Sequence, residues 1–433
     1  MARAWIFTSE RTRQLGAVSI EILFMQLTTV LVLAYAPRSA TGVRVGAAVL
    51  ALCLAAHIHW RFPRSSAHRQ LILSIIWTQI VQVSDALVVT RAEYVDVMRW
   101  RVKMGQIDAV SDIQWDRVAW AWFMQWNGRW IGTRWEVGCR VRSATEKRGK
   151  VVRGSKNGTT RGNGISEGTG SRRGYVAGRL TTAIAIYLAL DFLGWSAPPG
   201  AVWQPAFAVD KQYVFRRVTQ VSLEELAIRT GAVLGSGVVG AAVLVQMHSF
   251  AAAVMVGLGI HDADEWPALF GHISDAWCLR RFWSLFWHQN MRHPFVSHAS
   301  YITHNIFHIP TRNKILTRHL RVFIVFALCA LLHLLTDNAA GVPFEESGAI
   351  SFFMALCFGI ALEDMFFFIF HSAGGERAES SRSRLFTSNA LGYVWTLTFM
   401  VWTAPVWIYP IVRHIPPGKV KNVPFSVLDA IFG

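Results

Sequence analysis

The chain has 433 residues, of which 52% are hydrophobic and only 16% carry a charge. Soluble domains carry about 25% charged residues, so this composition excludes an ordinary soluble fold and indicates a membrane protein. The net charge of +16 does not indicate nucleic-acid binding, because the excess lysine and arginine lie in loops and at the ends of apolar runs, where they face lipid head groups.

Eight runs are long and apolar enough to cross a bilayer, which takes about 20 residues. The first is too long for a cleaved signal peptide and reads as a retained anchor. We therefore expect an all-α, polytopic membrane protein with about eight transmembrane helices plus interfacial helices. The eight runs lie near 14–36, 42–60, 70–90, 176–196, 231–260, 321–336, 348–371 and 391–412, with one more candidate around 113–131.

Composition divides the chain into three parts. Residues 1–138 hold the N-terminal helices, and a tryptophan-rich segment over 115–135 with interleaved arginines predicts an interfacial helix in the head-group plane. Residues 139–174 form a basic, glycine-rich loop, because 140–174 has ten Lys/Arg and eight Gly and cannot bury a core. This loop is either a solvated linker or a contact for anionic lipid or a phosphate-bearing cofactor. Residues 175–433 form the C-terminal membrane block.

The segment 279–298, LRRFWSLFWHQNMRHPFVSH, is too aromatic for a free loop and too polar to span a bilayer. Helical spacing predicts a helix near the membrane surface, with Arg280, Ser284 and His288 on one stripe. The neighbouring aromatic stripe carries Phe282, Trp283, Phe286, Trp287 and Asn290.

Seven of the fifteen histidines fall between His288 and His333, which raises the possibility of a metal site. The pair His304 and His308 has the HxxxH spacing of membrane di-iron enzymes, which places two imidazoles on one helical face. However, the chain has no adjacent histidine pair and no CxxC, and it has too few paired boxes for two irons. We predict no metal, and we expect His293, His298 and most other histidines to be interfacial.

Two polar positions inside apolar runs are candidate site residues. His333 ends a long apolar run, and Asp337 follows one helical turn later, where a carboxylate can fix the imidazole tautomer for general-base catalysis. The alternative is a packed or interfacial histidine. Glu363 and Asp364 are adjacent carboxylates near the middle of a span, where each costs about 2.5 to 3.5 kcal/mol if it faces lipid.

Glu363 and Asp364 therefore form either a buried ion pair or part of a substrate site. Asp85 and Asp191 raise the same question more weakly. If all four acidic residues and His333 lined one pathway, the chain would be a small-molecule transporter, although it lacks the internal repeats common in that class.

The segment 265–295, EWPALFGHISDAWCLRRFWSLFWHQNMRHPF, resembles the signature of fungal wax-synthase-like membrane-bound O-acyltransferases. Further similar blocks are RWIGTRWEV at 129–137, LLHLLTD at 331–337 and GIALED at 359–364. The resemblance is dense over 265–337 and thinner elsewhere. It implies a multi-pass enzyme of the endoplasmic reticulum whose partners are membrane lipid and a small hydrophobic alcohol.

Members of that group transfer acetyl from acetyl-CoA to a hydroxyl of a terpenoid or meroterpenoid in secondary metabolism, and others make wax esters from long acyl-CoA and fatty alcohols. By this resemblance His333 is the catalytic histidine, and the segment Trp287 to Asn290 is a second active-site motif. We predict His333, His288 and Asn290 as catalytic residues, and Trp283, Trp287 and Gln289 as cofactor contacts. Arg280 and Arg281 join the cofactor contacts because guanidinium groups pair well with the phosphates of coenzyme A. Glu363, Asp364 and Asp337 are the predicted substrate contacts.

The chain departs from the family pattern at Trp130, where relatives usually have glycine, and in the long basic loop. Neither change touches His333 or the Trp287 to Asn290 segment, so both bear on cofactor access more than on the type of reaction. The acceptor alcohol, the donor chain length, the topology of the termini and the oligomeric state do not follow from the sequence.

Overall fold

The computed structural model describes residues 2–64, 68–111, 113–137, 171–198, 200–372, 382–415 and 423–432. Within these ranges every regular element is helical. The α-helices are α1 (Ala2–Tyr35), α2 (Thr41–Arg61), α3 (Arg69–Ser84), α4 (Tyr94–Lys103), α5 (Gln114–Met124), α6 (Arg172–Ser196), α7 (Gly200–Trp203), α8 (Leu223–Gly257), α9 (Leu279–Arg281), α10 (Arg292–Tyr301), α11 (Lys314–Ala339), α12 (Ala349–Ser372), α13 (Arg382–Thr403), α14 (Pro405–Arg413) and α15 (Val427–Phe432).

The eight predicted spans are confirmed. Within the described ranges seven helices are long and apolar enough to cross a bilayer, and a bent pair of helices, counted as one span, makes the eighth. The ninth candidate, around 113–131, is wrong as a span because α5 covers only 11 residues, about 16 Å at 1.5 Å per residue. Many large apolar side chains on the spans point outward, as lipid-facing surfaces require.

The eighth span is broken at Pro405. Residues Asn389–Thr403 and Pro405–Arg413 meet at 44°. Proline lacks the backbone N–H that an uninterrupted helix needs, and its ring clashes with the preceding turn, so the span bends there. The bend separates two arms that both contribute to the C-terminal core.

Helix α11 lies between the two halves of the bundle. One of its faces packs with α1, α2 and α3, where Ala339 joins the buried residues of those helices. Another face packs with α12, α14 and α8 through Phe326 and Ala330. His333, on α11, is therefore placed at the centre of the molecule. The boundaries at 138 and 175 stay a prediction, and residues 138–170 of the basic loop lie outside the described residues.

Buried arginines fix the N-terminal helices by binding backbone carbonyls. Arg44, 1% exposed, donates to the carbonyls of Ala36, Leu87, Ala86 and Ala92 over 2.6 to 3.1 Å. These carbonyls include helix-end groups that lack intrahelical partners. The guanidinium suits this role because it carries five donors in a fixed fork.

The predicted interfacial helix over 115–135 is only partly correct. Trp115, Trp122 and Trp126 are exposed, as the head-group plane requires, and the helix ends at Met124. In contrast, Trp120 is buried and Trp130 is fully buried, because the chain turns back after α5 and packs against the ends of the N-terminal helices.

Candidate active site

The predicted helix over 283–290 ends at Phe286. Its last five residues, Phe282–Phe286, form a π-helix closed by a 2.7 Å bond from Trp287 N–H to the Phe282 carbonyl. The chain then extends and pairs with an earlier strand-like segment, Gly271 N–H to Phe286 O at 2.9 Å and Gln289 N–H to Leu269 O at 3.2 Å. These distant backbone bonds compete with the helix, so the predicted stripe does not continue through Trp287 and Asn290.

Gly271 makes this close approach possible. A Cβ atom there would lie 2.0 Å from the Leu285 carbonyl oxygen. Any side chain would therefore push the two segments apart.

An aromatic cluster joins His333 to His288. The His333 ring stacks on Phe353 with centroids 4.9 Å apart, and Phe353 contacts Trp283 at 6.3 Å. Trp283 contacts Trp287 at 5.9 Å, and Trp287 contacts His288 at 5.7 Å. The structure thus brings His333, His288, Trp283 and Trp287 into one continuous aromatic cluster.

His333 is held by ring contacts and not by hydrogen bonds. The Trp407 ring packs edge-on against the His333 ring, with ring centroids 4.8 Å apart, whereas the Phe353 ring is stacked on it. Within the described part of the chain, neither ring nitrogen has a protein hydrogen-bond partner, and neither is among the fully buried polar atoms. Both nitrogens are available to a substrate.

The expected bond from Asp337 to His333 is absent among the described residues, so that part of the prediction is wrong. The Asp337 carboxylate accepts from the Ser347 hydroxyl at 2.6 Å and from Trp407 Nε1 at 3.0 Å. The i, i+4 spacing is right for contact, but both donors lie on the far side of α11 in the following loop and in α14. Asp337 therefore positions Trp407, which in turn contacts His333.

His288 presents its two ring nitrogens differently. Nδ1 is buried without a partner, whereas Nε2 is neither hydrogen-bonded nor fully buried within the described residues. The ring contacts Phe270 at 6.0 Å and Trp287, and burial lowers the pKa of His288 to about 4. His288 is therefore neutral near pH 7, and a proton on Nε2 avoids burying an unpaired N–H group.

The two residues after His288 have different surroundings. Gln289 is 2% exposed, and its side chain bonds to the Trp287 carbonyl and accepts from Arg292 at 3.1 Å, so its polar atoms are occupied locally. Among the described residues the Asn290 side chain has no hydrogen-bond partner, and its backbone carbonyl lies so close to Gly128 that a Cβ atom on Gly128 would approach the oxygen to 2.2 Å. The loop at Gly128 thus fixes the backbone of Asn290.

A buried carboxylate anchors the segment that carries His288 and Asn290. Asp85, fully buried, accepts from His293 Nδ1 at 2.9 Å, Ser297 Oγ at 2.6 Å and Thr90 Oγ1 at 2.8 Å. His298 bonds to Ser84 at 3.0 Å. The prediction that His293 and His298 are interfacial is therefore wrong, because both tie α10 to the end of α3.

Trp130 packs against His293, the histidine that is bound to the buried Asp85 carboxylate. Its ring lies 4.6 Å from His293 and 5.2 Å from Trp135. Its φ of 55° falls in the left-handed region, which glycine adopts without strain and bulky residues rarely adopt. The geometry explains why glycine suits this position in the family pattern, and why a tryptophan there must be held by its neighbours.

Glu363 and Asp364 bind the start of α9. Asp364 pairs with Arg280 and accepts from Arg318 at 2.8 Å, while Glu363 accepts from the backbone N–H groups of Leu279 at 2.6 Å and Arg280 at 3.1 Å. Trp395 Nε1 also donates to Glu363 at 2.8 Å. These contacts favour the ion-pair interpretation over direct binding of an acceptor.

A charged cavity of about 470 Å³ opens beside these groups. Arg280, Arg281 and Arg318 line it together with both carboxylates. Arg281 pairs with Asp275. The Arg318 side chain is 54% exposed and is therefore the most open of the three arginines to a ligand. Cys278 also lines the cavity, but burial raises the pKa of its thiol to about 11, which makes it a poor nucleophile.

Sequence reasoning missed Phe353, Trp407, Ser347 and Arg318. The aromatic pair has no distinguishing spacing, since phenylalanine and tryptophan are frequent in all of these spans. Arg318 lies near the start of α11, on the face that approaches Asp364, and a cation at the end of an apolar span is a feature that the sequence does show.

The HxxxH pair does not form a metal-ligand face. The helix ends before His308, whose φ of 52° is left-handed, and His304 Nδ1 bonds to the Ile309 carbonyl at 2.8 Å. Among the described residues no group of three His, Cys, Asp or Glu side chains is arranged to hold a metal ion.

The long apolar helices define a multi-pass membrane protein. Residues 266–355 match the membrane bound O-acyl transferase family. The acetyltransferase ataH of Aspergillus terreus is 32% identical over 61% of this chain and 86% of its own length. The acetyltransferase pyr8 of Aspergillus fumigatus is 30% identical over 73% of this chain and 69% of its own length. The acetyltransferase fsoF of Humicola fuscoatra is 35% identical over 47% of this chain and 50% of its own length. No solved structure matches.

The chain belongs to the membrane-bound O-acyltransferase family. The family resemblance predicted from the sequence is thereby confirmed, and the protein is an enzyme, a membrane-bound O-acetyltransferase. The transporter interpretation is set aside.

Proposed function

We propose that this enzyme transfers acetyl from acetyl-CoA to a hydroxyl of a hydrophobic terpenoid or meroterpenoid, with His333 as the general base. The observation that carries the proposal is the state of His333. Its imidazole lies at the centre of the bundle between Phe353 and Trp407, with ring nitrogens that no described residue occupies.

The reaction needs one base and one stabilised oxyanion. His333 removes the hydroxyl proton as the alcohol oxygen attacks the thioester carbonyl carbon. The tetrahedral intermediate carries a negative oxygen, and its collapse breaks the carbon–sulfur bond and releases the coenzyme A thiolate. The His333 imidazolium returns its proton to that sulfur. The apolar walls limit water, which would otherwise hydrolyse the thioester.

His288 supports the oxyanion as a neutral donor. Its open Nε2 lies in the same aromatic wall as His333, and a neutral N–H is a useful donor to developing negative charge. Asn290 is the second candidate donor. In this role His288 acts without changing its protonation state.

Replacing His288 with alanine is expected to lower kcat about 10²- to 10³-fold, whereas glutamine, which keeps an N–H donor, should recover part of that loss. Since the pKa of His288 is about 4, the pH profiles of kcat for wild type and His288→Gln should be parallel between about pH 5 and 8. If kcat of the wild type changed with pH near 6.5 and kcat of His288→Gln did not, the result would contradict a neutral His288.

The charged cavity is the candidate site for the phosphates of the donor. Arginine pairs well with phosphate, and Arg318 lies fifteen residues from His333 on α11, about 22 Å along the helix axis. The pantetheine arm of the donor would then run from the cavity along Trp283 and Trp287 to the chamber. All three arginines are paired, Arg281 with Asp275 and both Arg280 and Arg318 with Asp364, and Arg318 has the most exposed side chain of the three.

Replacing Arg318 with alanine should raise the KM for acetyl-CoA about tenfold, the loss of one charge-assisted hydrogen bond, while leaving kcat at saturating donor unchanged. Arg312→Ala is the matched control, because Arg312 is exposed near the same end of α11 and does not line the cavity. Equal KM values in the two variants would remove Arg318 from the donor site.

The decisive test of the proposed function is acetyl transfer in isolated membranes. Microsomes that contain the enzyme are incubated with labelled acetyl-CoA and a panel of terpenoid alcohols, since we place the enzyme in the endoplasmic reticulum. The expected product is an alcohol that has gained one acetyl group. Transfer only from long acyl-CoA to fatty alcohols would identify a wax-ester synthase instead.

A further inference from the structure

A second cavity, of about 270 Å³, lies between the arms of the bent eighth span and α12. Trp402 and Val406 come from the two arms, Ser351 and Ala355 come from α12, and Tyr213 and Arg216 come from the turns before α8. The walls are mainly apolar. None of these residues was singled out in the sequence.

The bend at Pro405 creates this cavity, and its wall is held firmly. Gln212 Nε2 donates to the Val406 carbonyl at 2.8 Å, and the buried Arg229 donates to the Trp402 carbonyl at 3.2 Å. Gly348 fits against the Val406 backbone, where a Cβ would approach the carbonyl oxygen to 1.9 Å. The cavity is therefore a formed feature and not a gap between loose helices.

The cavity lies behind the aromatic wall of the chamber. Val406 precedes Trp407, whose ring contacts His333 at 4.8 Å, and Ser351 precedes Phe352. Phe352 stacks on Trp407 with centroids 5.4 Å apart and planes inclined by 16°. This stacked pair, tethered through Trp407 to Asp337, separates the second cavity from His333.

The two cavities lie toward opposite ends of the α11–α12 hairpin and differ in charge. Arg318 and Asp364 mark the charged end, whereas Ser351 and Ala355 mark the apolar end, level with His333. Position 364 is nine residues from position 355, about 14 Å along α12. The structure thus offers two separate cavities, one lined by charged side chains and one mainly apolar.

We infer that the second cavity binds the apolar ring system of the acceptor alcohol. The inference rests on the proposed function and adds the place where the acceptor is recognised. Typical small-molecule sites enclose about 300 to 1,000 Å³, so a cavity of about 270 Å³ takes part of a multi-ring acceptor. The part that carries the hydroxyl reaches His333 around the edge of the Phe352–Trp407 pair.

The side chains at the opening fit this role. The Arg216 guanidinium lies 4.8 Å from the centre of the Tyr213 ring, so its charge is held at the rim and not inside the cavity. Thr403 Oγ1 donates to the Phe399 carbonyl at 2.8 Å and offers no free donor to the interior. The Ser351 hydroxyl is the polar group that α12 adds to a lining that is otherwise mainly apolar, so we expect selection mostly by shape and apolar contact.

Filling the cavity tests the inference. Ala355→Phe places a ring in the cavity from α12, and Ile350→Phe is the control, since Ile350 is 52% exposed on the same helix and does not line the cavity. In Ala355→Phe, kcat/KM for a multi-ring alcohol relative to a small apolar alcohol should fall roughly 10- to 200-fold. The KM for acetyl-CoA should stay within about twofold of wild type.

A labelling experiment covers the case in which Ala355→Phe does not fold, judged by its thermal unfolding in detergent. A multi-ring alcohol that carries a diazirine is photolysed with the wild-type enzyme, and labelled peptides should contain residues 213–216 or 402–406. Label found only elsewhere, or an unchanged acceptor ratio in a folded Ala355→Phe, would overturn the inference. If wild type acetylates no alcohol at all, the proposed function itself fails, which is a distinct result.

Discussion

Replacing His333 with alanine should lower kcat for acetyl transfer about 10²- to 10⁴-fold, the usual contribution of a positioned general base. The expected loss is large because no described residue occupies the ring nitrogens of His333, and His288, the other histidine of the same aromatic cluster, is proposed to act as a donor and not as the base. The measurement is the initial rate of product formation at saturating acetyl-CoA and acceptor, with enzyme quantified by immunoblot.

His333→Phe is the companion variant, since it preserves an aromatic ring between Phe353 and Trp407 and removes only the base. It should be as inactive as alanine while keeping the wild-type unfolding temperature. His57→Ala is the control, because His57 has a half-exposed side chain on α2 and should retain full activity. Normal activity in both His333 variants would mean that another group takes the proton.

Replacing Asp85 with alanine should lower the free energy of unfolding by about 3–5 kcal/mol, because three buried donors lose their shared acceptor and each unsatisfied group costs about 1–3 kcal/mol. The change leaves His293, Ser297 and Thr90 without their shared acceptor in a fully buried place. Because His293 follows the segment with His288 and Asn290, activity should fall together with stability. Thermal unfolding in detergent and the specific activity of the folded fraction measure the two effects.

Asp96→Ala provides the comparison for Asp85. Asp96 pairs with Arg38 at 3.0 Å, but both side chains are about one-third exposed, so the loss should be within about 1 kcal/mol. The loss of unfolding free energy in Asp85→Asn should lie between the losses in Asp85→Ala and Asp96→Ala, since an amide oxygen can still accept from two hydroxyls. If Asp85→Ala unfolded like Asp96→Ala, the anchoring role of the carboxylate would be refuted.

The spans were predictable because a bilayer imposes one length and one polarity on every crossing helix. The organisation of the site was less predictable because it depends on contacts between distant segments. Helical spacing continued the 283–290 stripe, yet backbone bonds to Leu269 and Gly271 ended the helix at Phe286. No local pattern of residues reveals such pairing.

The same distinction applies to the charged residues. The spacing of His333 and Asp337 correctly placed both on one helix, but the aspartate bonds to Ser347 and to Trp407, 70 residues away. Arg280 and Asp364, 84 residues apart, were expected to bind different parts of the substrates and instead pair with each other. A sequence shows which groups are too costly to face lipid, whereas their partners emerge only from the fold.

Arg44 has a consequence for the order in which the N-terminal bundle is assembled during synthesis. Three of its four carbonyl acceptors, on Ala86, Leu87 and Ala92, are translated 42 to 48 residues after the arginine itself. Until they emerge, the Arg44 guanidinium, on the fourth residue of α2, has only the Ala36 carbonyl of its four acceptors available. The start of α2 is therefore expected to reach its final packing only after the third span and the segment up to Ala92 have been synthesised.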